Sequence, residues 1–193
     1  MAEPIQIPTE RMTRAEFYAW AEAQPGGKFE LIDGQVVAMA PERAAHGTTK
    51  LLVTIALRNA MLQAGIPCQV FVDSLAVAVN DTVSYQPDAL VNCGERLDPN
   101  TLVAPAPVIV VEVASPSTAR IDAVRKLPDY FRVPSIQHYL ILDTVQRMVI
   151  HHRRVPDGSH ATWIAGTGPL LLDPPGITIR VEDLFEEEPP TPS

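Results

Sequence analysis

The stretch "VIVVEVASPSTARIDAVRKLPDYF", residues 108–131, decides how this chain is read. Its first half is an apolar, β-branched run of the kind that forms a buried strand. The run leads straight into a carboxylate, Glu112, and the next segment carries Asp122 and Lys126. A buried charge is costly unless it is paired, protonated or bound to a metal. Glu112 therefore needs a partner.

Around this strand the chain alternates helical and extended patterns. Ser117 or Thr118 caps a helix whose Ile121, Val124 and Leu127 share a face, and Pro128 either kinks it or starts a second short helix. Upstream, a short helix over 12–23 opens on Thr13 with Glu16 three residues on, a capping-box pattern. "KFELIDGQVVAMA" reads as a hairpin turning at Asp33-Gly34. A long helix follows over 44–64, with Leu51, Leu52, Ile55, Leu57 and Leu62 as its apolar face and Gly65 as its stop. "CQVFVDSLAVAV" reads as one long central strand and "YQPDALVNC" as the next. Downstream, "QHYLILDT" and "RMVIHHRR" are two tightly joined strands, with "ATWIA" and "GITIRVEDLF" as later edge strands. Strands on both sides of a helical crossover predict a mixed sheet with helices on its faces.

Composition narrows the function classes. The chain has 193 residues, 46% of them hydrophobic, which suits one packed domain. The net charge of −8 argues against a general nucleic-acid coat protein. However, Glu182, Asp183, Glu186, Glu187 and Glu188 carry most of that bias; without them 15 basic residues face 18 acidic ones, leaving room for a local basic groove. Cys68 and Cys93 lack metal-ligand or C-x-x-C spacing and are expected to be reduced core thiols. There is no apolar signal core and no run near the ~18 apolar residues a span needs, so a soluble, cytoplasmic protein without membrane partners is expected.

Asp88 in "QPDALV" and Glu112 in "VVEVAS" each lie within or beside an apolar run. Adjacent strands would bring both to one edge, where they repel unless a cation sits between them. Hard oxygen ligands select Mg²⁺ or Mn²⁺, and such an ion readies water for attack on a phosphodiester. Plainer alternatives stay open. Asp88 can be a turn residue after Pro87, Glu112 a strand end, and Lys126 the i,i+4 partner of Asp122, worth only ~0.3–0.5 kcal/mol. Asp73 either faces the site or lies at an edge, and "HHRR", 151–154, is either a phosphate contact or a solvated hairpin end. Ser115 and Ser117 lack a nucleophile-elbow pattern and suit capping. No zinc-type cluster, Gly-rich phosphate loop or dinucleotide fingerprint is present.

"QPDALV", then "VVEVASPST", then the spaced Asp122, Lys126 and Tyr130, then "HYLILD", together resemble the Uma-two family of endonucleases. That family falls in the restriction-endonuclease-like superfamily, known by the motif PD-(D/E)-x-K. "FELIDGQVVAMAP" and His46 add to the likeness, which runs over 12–184. The resemblance implies an α/β fold: a restriction-endonuclease-like mixed β-sheet flanked by helices, with an N-terminal β-hairpin and extra C-terminal strands. A single domain is expected over 1–185, followed by an acidic, Pro-rich disordered tail at 186–193.

By the same resemblance, Asp88 and Glu112 are ligands of Mg²⁺ (or Mn²⁺), joined by the backbone carbonyl of Val113. The motif lysine is missing, since its position holds Ala114. Lys126 is the substitute, as migrated lysines occur in this superfamily. Glu30 and His46 are placed near the active site, as an extra acidic ligand and a phosphate or water contact. The implied partners are nucleic acid, DNA in particular, and a second copy of the chain in a homodimer. The expected function is Mg-dependent hydrolysis of nucleic-acid phosphodiesters. The rival is a catalytically inactive nucleic-acid or protein-binding module on the same fold, and a weaker third option is a metallohydrolase of non-nucleic phosphoesters.

Overall fold

In a computed structural model, residues 5–114 and 119–186 are described, 119–124 by backbone alone. The first helix, α1 (Arg14–Glu22), starts on the expected capping box: Thr13 Oγ1 accepts from the Glu16 N–H, and Glu16 Oε2 accepts from the Thr13 N–H at 2.8 Å. Strands β1 (Phe29–Ile32) and β2 (Gln35–Ala38) form the hairpin. Asp33 and Gly34 both take positive φ (50° and 80°), the conformation of the two central residues in the tight turns that match strand twist. Helix α2 (Ala44–Ala64) ends on Gly65 in the left-handed conformation.

The long strand expected over 68–79 is two strands, β3 (Gln69–Val72) and β4 (Val77–Ala78), in different sheets. The break is at Asp73, whose φ of 51° cannot continue a strand. The next run also divides, into β5 (Ser84–Tyr85) and β6 (Ala89–Asn92), around Pro87, which has no N–H for a ladder. Strand β7 (Pro107–Ala114) carries Glu112 as expected. Helix α3 (Ala119–Tyr130) runs unbroken through Pro128 in its last turn, while its cap at Ser117 or Thr118 lies outside the described residues. Strands β8 (His138–Asp143), β9 (Met148–Arg154) and β10 (His160–Ala165) complete the main sheet. An additional strand, β11 (Pro169–Leu172), pairs with β12 (Ile177–Arg180) before a short 3₁₀ turn. From residue 187 the expected tail lies outside the described residues.

The main sheet runs β10-β9-β8-β7-β6-β3, and β1, β2, β4 and β5 form a smaller one. All ladders are antiparallel except β7–β8, whose crossover is α3, so the sheet is mixed. Alternation along β7 separates two cores. Ile109, Val111 and Val113 face Val53, Leu57 and Met61 of α2, whereas Val110 and Ala114 face Tyr130, Tyr139 and Ile141. The buried stripe of α2 is Lys50, Val53, Leu57, Ala60 and Met61. This corrects the sequence reading: Leu51, Ile55 and Leu62 are exposed, because the sheet meets the helix on the side that carries the lysine.

Two further expectations change. Extending the β3–β6 register by one pair beyond Gln69↔Asn92 sets Cys68 opposite Cys93, and they form a disulfide with Cα atoms 4.4 Å apart. The "HHRR" run lies within β9; His151 and His152 are buried, and Arg154 donates to the Ile136, Phe131 and Val133 carbonyls. No helix among the described residues is long and apolar enough to cross a membrane.

His138 Nε2 lies 2.9 Å from the Pro174 carbonyl, which can only accept, so that nitrogen carries the proton. His138 Nδ1 must then accept from His151 Nε2, 2.8 Å away. Burial lowers both rings to about 4, helped for His151 by the charge His138 would carry. A depressed histidine stabilises the fold above its unfolded value near 6.5, and that stability is lost as pH falls towards 4. Urea unfolding should therefore lose on the order of 2 kcal/mol per histidine between pH 7 and 5. A His138→Gln/His151→Gln variant should lack that part of the slope; an identical slope would count against it.

Candidate active site

Asp88 immediately precedes β6 and Glu112 lies near the end of β7. Continuing the ladder one pair beyond Ala89↔Val111 sets them opposite each other. Their surroundings come from opposite sides of the sheet. Helix α2 brings His46 and Lys50, one turn apart, to Asp88, and helix α3 brings Lys126 and Tyr130, again one turn apart, to Glu112.

At Asp88, Oδ2 accepts from the Val113 N–H at 2.6 Å. Oδ1 lies 3.0 Å from Lys50 Nζ and 3.2 Å from His46 Nε2. Burial alone would raise the Asp88 carboxyl; His46, the Val113 N–H and Lys50 outweigh it and hold the group below its ordinary value. The Lys50 ammonium also meets Asp73 Oδ1 at 2.6 Å and Glu42 Oε1 at 2.7 Å. Lys28 reaches the same two side chains, Glu42 at 3.3 Å and Asp73 at 3.1 Å. Asp73 thus faces the site.

At Glu112, Oε1 accepts from Tyr130 Oη at 2.6 Å and from Lys126 Nζ at 3.0 Å. Lys126 also donates to Glu30 Oε1 at 2.8 Å and sits 5.1 Å from the centre of the Tyr85 ring. Glu30 Oε1 takes a second bond from the Gln86 N–H, which ties the first hairpin to the approach to β6. Burial pushes Glu112 up to about 7; Asp88 and Glu30 add to this, and Lys126 and Tyr130 oppose it. Burial disfavours the Lys126 ammonium, but Glu112 and Glu30 outweigh it, so its pKa is raised. The ammonium is committed to these two carboxylates; the Asp122 side chain lies outside the described residues.

The structure thus gathers Asp88, Glu112, Lys126, Glu30, His46 and Val113 around one sheet end. Among the described residues, five carboxylates (Glu30, Glu42, Asp73, Asp88 and Glu112) surround three ammonium groups (Lys28, Lys50 and Lys126). Glu42, His46 and Asp88 each offer a ligand atom within 4.8 Å of the others, a group that could hold a metal ion. His46 Nε2 is buried and, despite its closeness to Asp88, has no hydrogen bond among the described residues. A carboxylate excess and an idle imidazole nitrogen both suit a divalent cation.

A family model described as "Putative restriction endonuclease" matches residues 14–182. The chain belongs to the Uma2 family. Two Synechocystis proteins are among its relatives. "Uncharacterized protein slr1290" is 28% identical over 190 residues, covering 96% of this chain and 97% of its own. "Uncharacterized protein sll1609" is 27% identical over 155 residues, covering 78% and 86%. A crystal structure from Anabaena variabilis, described as "a putative nuclease belonging to DUF820", superposes with a TM-score of 0.68 over 90% of this chain and 97% of that one, at 18% identity. The fold is therefore the restriction-endonuclease-like one expected.

In this Uma2 chain the sequence reading overlooked Glu42, Lys28 and, above all, Lys50, which is 2% exposed. The signal for Lys50 was its place four residues after His46, on one helical face. The Ala114 departure also gains a physical reading. Ala114 shares the β7 face of Glu112, and the ammonium on that face comes instead from α3, through Lys126.

Removing a buried cation leaves its partners uncompensated. Lys126→Met should therefore cost ~3–5 kcal/mol in urea denaturation of the metal-free protein. Arg132→Ala, which breaks an exposed pair with Asp129, should cost less than ~1 kcal/mol. Equal effects of the two would contradict the view that Lys126 holds the site together.

Proposed function

We propose that this protein is a divalent-metal-dependent endonuclease that hydrolyses phosphodiester bonds of nucleic acid, taken as DNA from the family description. The observation that carries the reading is Asp88 facing Glu112 across two strands, with Lys126 bridging Glu112 to Glu30. Asp88 and Glu112 would hold Mg²⁺ or Mn²⁺, with the Val113 carbonyl beside them. Bound there, such an ion would supply an activated water and neutralise charge on the phosphate.

The chain's own residues do the rest. Strand β7 holds Glu112 on a rigid element, and the Val113 N–H of the same strand fixes Asp88 just before β6. Tyr130 and Lys126 both bond Glu112 Oε1 and fix the carboxylate in place. Lys126 assists by stabilising the anionic phosphate and orienting the attacking water, while Glu30 keeps its ammonium in place. Glu30 is an added carboxylate in the same cluster, and His46 stands at Asp88 to meet water or phosphate.

Asp88→Asn and Glu112→Gln should each abolish Mg²⁺- or Mn²⁺-dependent cleavage of DNA while the far-ultraviolet circular dichroism stays that of the wild type. Cleavage at wild-type rate by either variant would refute the assignment. Wild-type protein that binds DNA yet never cuts it, with any divalent metal, would favour the binding-module alternative. Cutting both strands of a duplex calls for two sites, so we propose a homodimer; light scattering at micromolar concentration should show twice the monomer mass, and monomer alone would remove the idea.

A further inference from the structure

Lys50 has no place in the mechanism above, yet it is among the most confined charges in the molecule. Its side chain is 3% exposed, and its ammonium touches carboxylates from three separate parts of the chain. Glu42 precedes α2, Asp73 follows β3, and Asp88 immediately precedes β6. The nitrogen-to-oxygen distances of 2.7, 2.6 and 3.0 Å make one cation shared by three anions. Two of those anions, Glu42 and Asp88, are the same ones that with His46 form the group able to hold a metal.

A divalent ion needs its oxygens at about 2.0–2.6 Å, close to where this ammonium already sits. Two cations on one carboxylate oxygen in a buried setting repel strongly, because the low dielectric screens them little. Lys50 and a metal therefore contest Asp88 Oδ1. The other side of the contest is visible at His46, whose buried Nε2 is left without a hydrogen bond.

We propose that Lys50 is the built-in counter-cation of this site: it occupies Asp88 in the metal-free protein, and a divalent ion binds by displacing it from Asp88 onto Asp73. The inference rests on the metal reading given above. It gives the lysine two roles. It compensates the carboxylate cluster, and it sets a threshold on metal affinity. Asp73 is suited to receive the displaced ammonium, because it already holds the shortest of the three contacts and lies outside the Glu42, His46 and Asp88 group.

The test is Mn²⁺ titration calorimetry on the full-length protein and on Lys50→Met. The variant should bind Mn²⁺ at least tenfold more tightly, and Mn²⁺ should raise its melting temperature by more than it raises that of the wild type. Should Lys50→Met fail to fold, Lys50→Met/Asp73→Asn removes one charge of each sign and leaves Glu42, His46 and Asp88 intact, and the same tightening is expected. Wild-type protein that binds Mn²⁺ with a folded variant that binds it no more tightly would overturn the role of Lys50 while leaving the metal site standing. No Mn²⁺ binding by the wild type or by either folded variant, also with a short oligonucleotide present, would overturn both.

Discussion

The constraint on which this structure turns is the burial of anions at the end of a sheet. Asp88 and Glu112 face each other across β6 and β7, at positions where the strand interior is apolar. Neither could stay there alone, because an uncompensated buried carboxylate costs several kcal/mol. The two helices resolve this from opposite sides. Each sends in a lysine one turn from a second polar residue, Lys50 after His46 on α2 and Lys126 before Tyr130 on α3. Much of the remaining architecture keeps those helices in place. The β7–α3–β8 crossover positions Lys126, and the packing of α2 against β6, β7 and β12 positions Lys50.

The compensation is deliberately incomplete in its electrostatics. Three lysines serve five carboxylates, and the balance is taken up by Glu112, whose affinity for a proton is raised to near neutrality. Carboxylates held this close repel, and the lysines offset part of that repulsion. Without those lysines the carboxylates would be left buried and uncompensated, at a cost of several kcal/mol. The net charge of −8 is likewise uneven: part of the acidic surplus lies near the C-terminus and part in this cluster.

At Glu112 the compensating cation comes from a neighbouring helix and not from the strand itself. The strand position two residues after Glu112 is Ala114, a small side chain packed in the core beside Tyr130 and Tyr139. An ammonium delivered from α3 reaches Glu112 at 3.0 Å and is held by Glu30 as well. The requirement is a cation at the carboxylate, and the fold offers more than one element able to supply it.

Periodicity and turn chemistry were enough to read most elements from the sequence. The Thr13 capping box, the Asp33-Gly34 turn and the Gly65 stop are local signals, and each sits where it was expected because it depends on only a few neighbouring residues. Asp88 and Glu112 could be picked out for a similar reason, since a charge inside or beside an apolar run is anomalous in any fold, whereas Lys126 was singled out by the family resemblance. What the sequence could not show depends on partners distant along the chain. Which face of α2 is buried was decided by the sheet, so leucines that looked like core are exposed and a lysine that looked like surface is buried. Asp73 broke what read as one strand, and the Cys68–Cys93 bridge followed from register alone. Lys50 took its meaning only when Glu42, Asp73 and Asp88 met around it. Local propensity is written residue by residue; the neutralisation of a buried charge is settled by whichever distant groups the fold brings within about 3 Å.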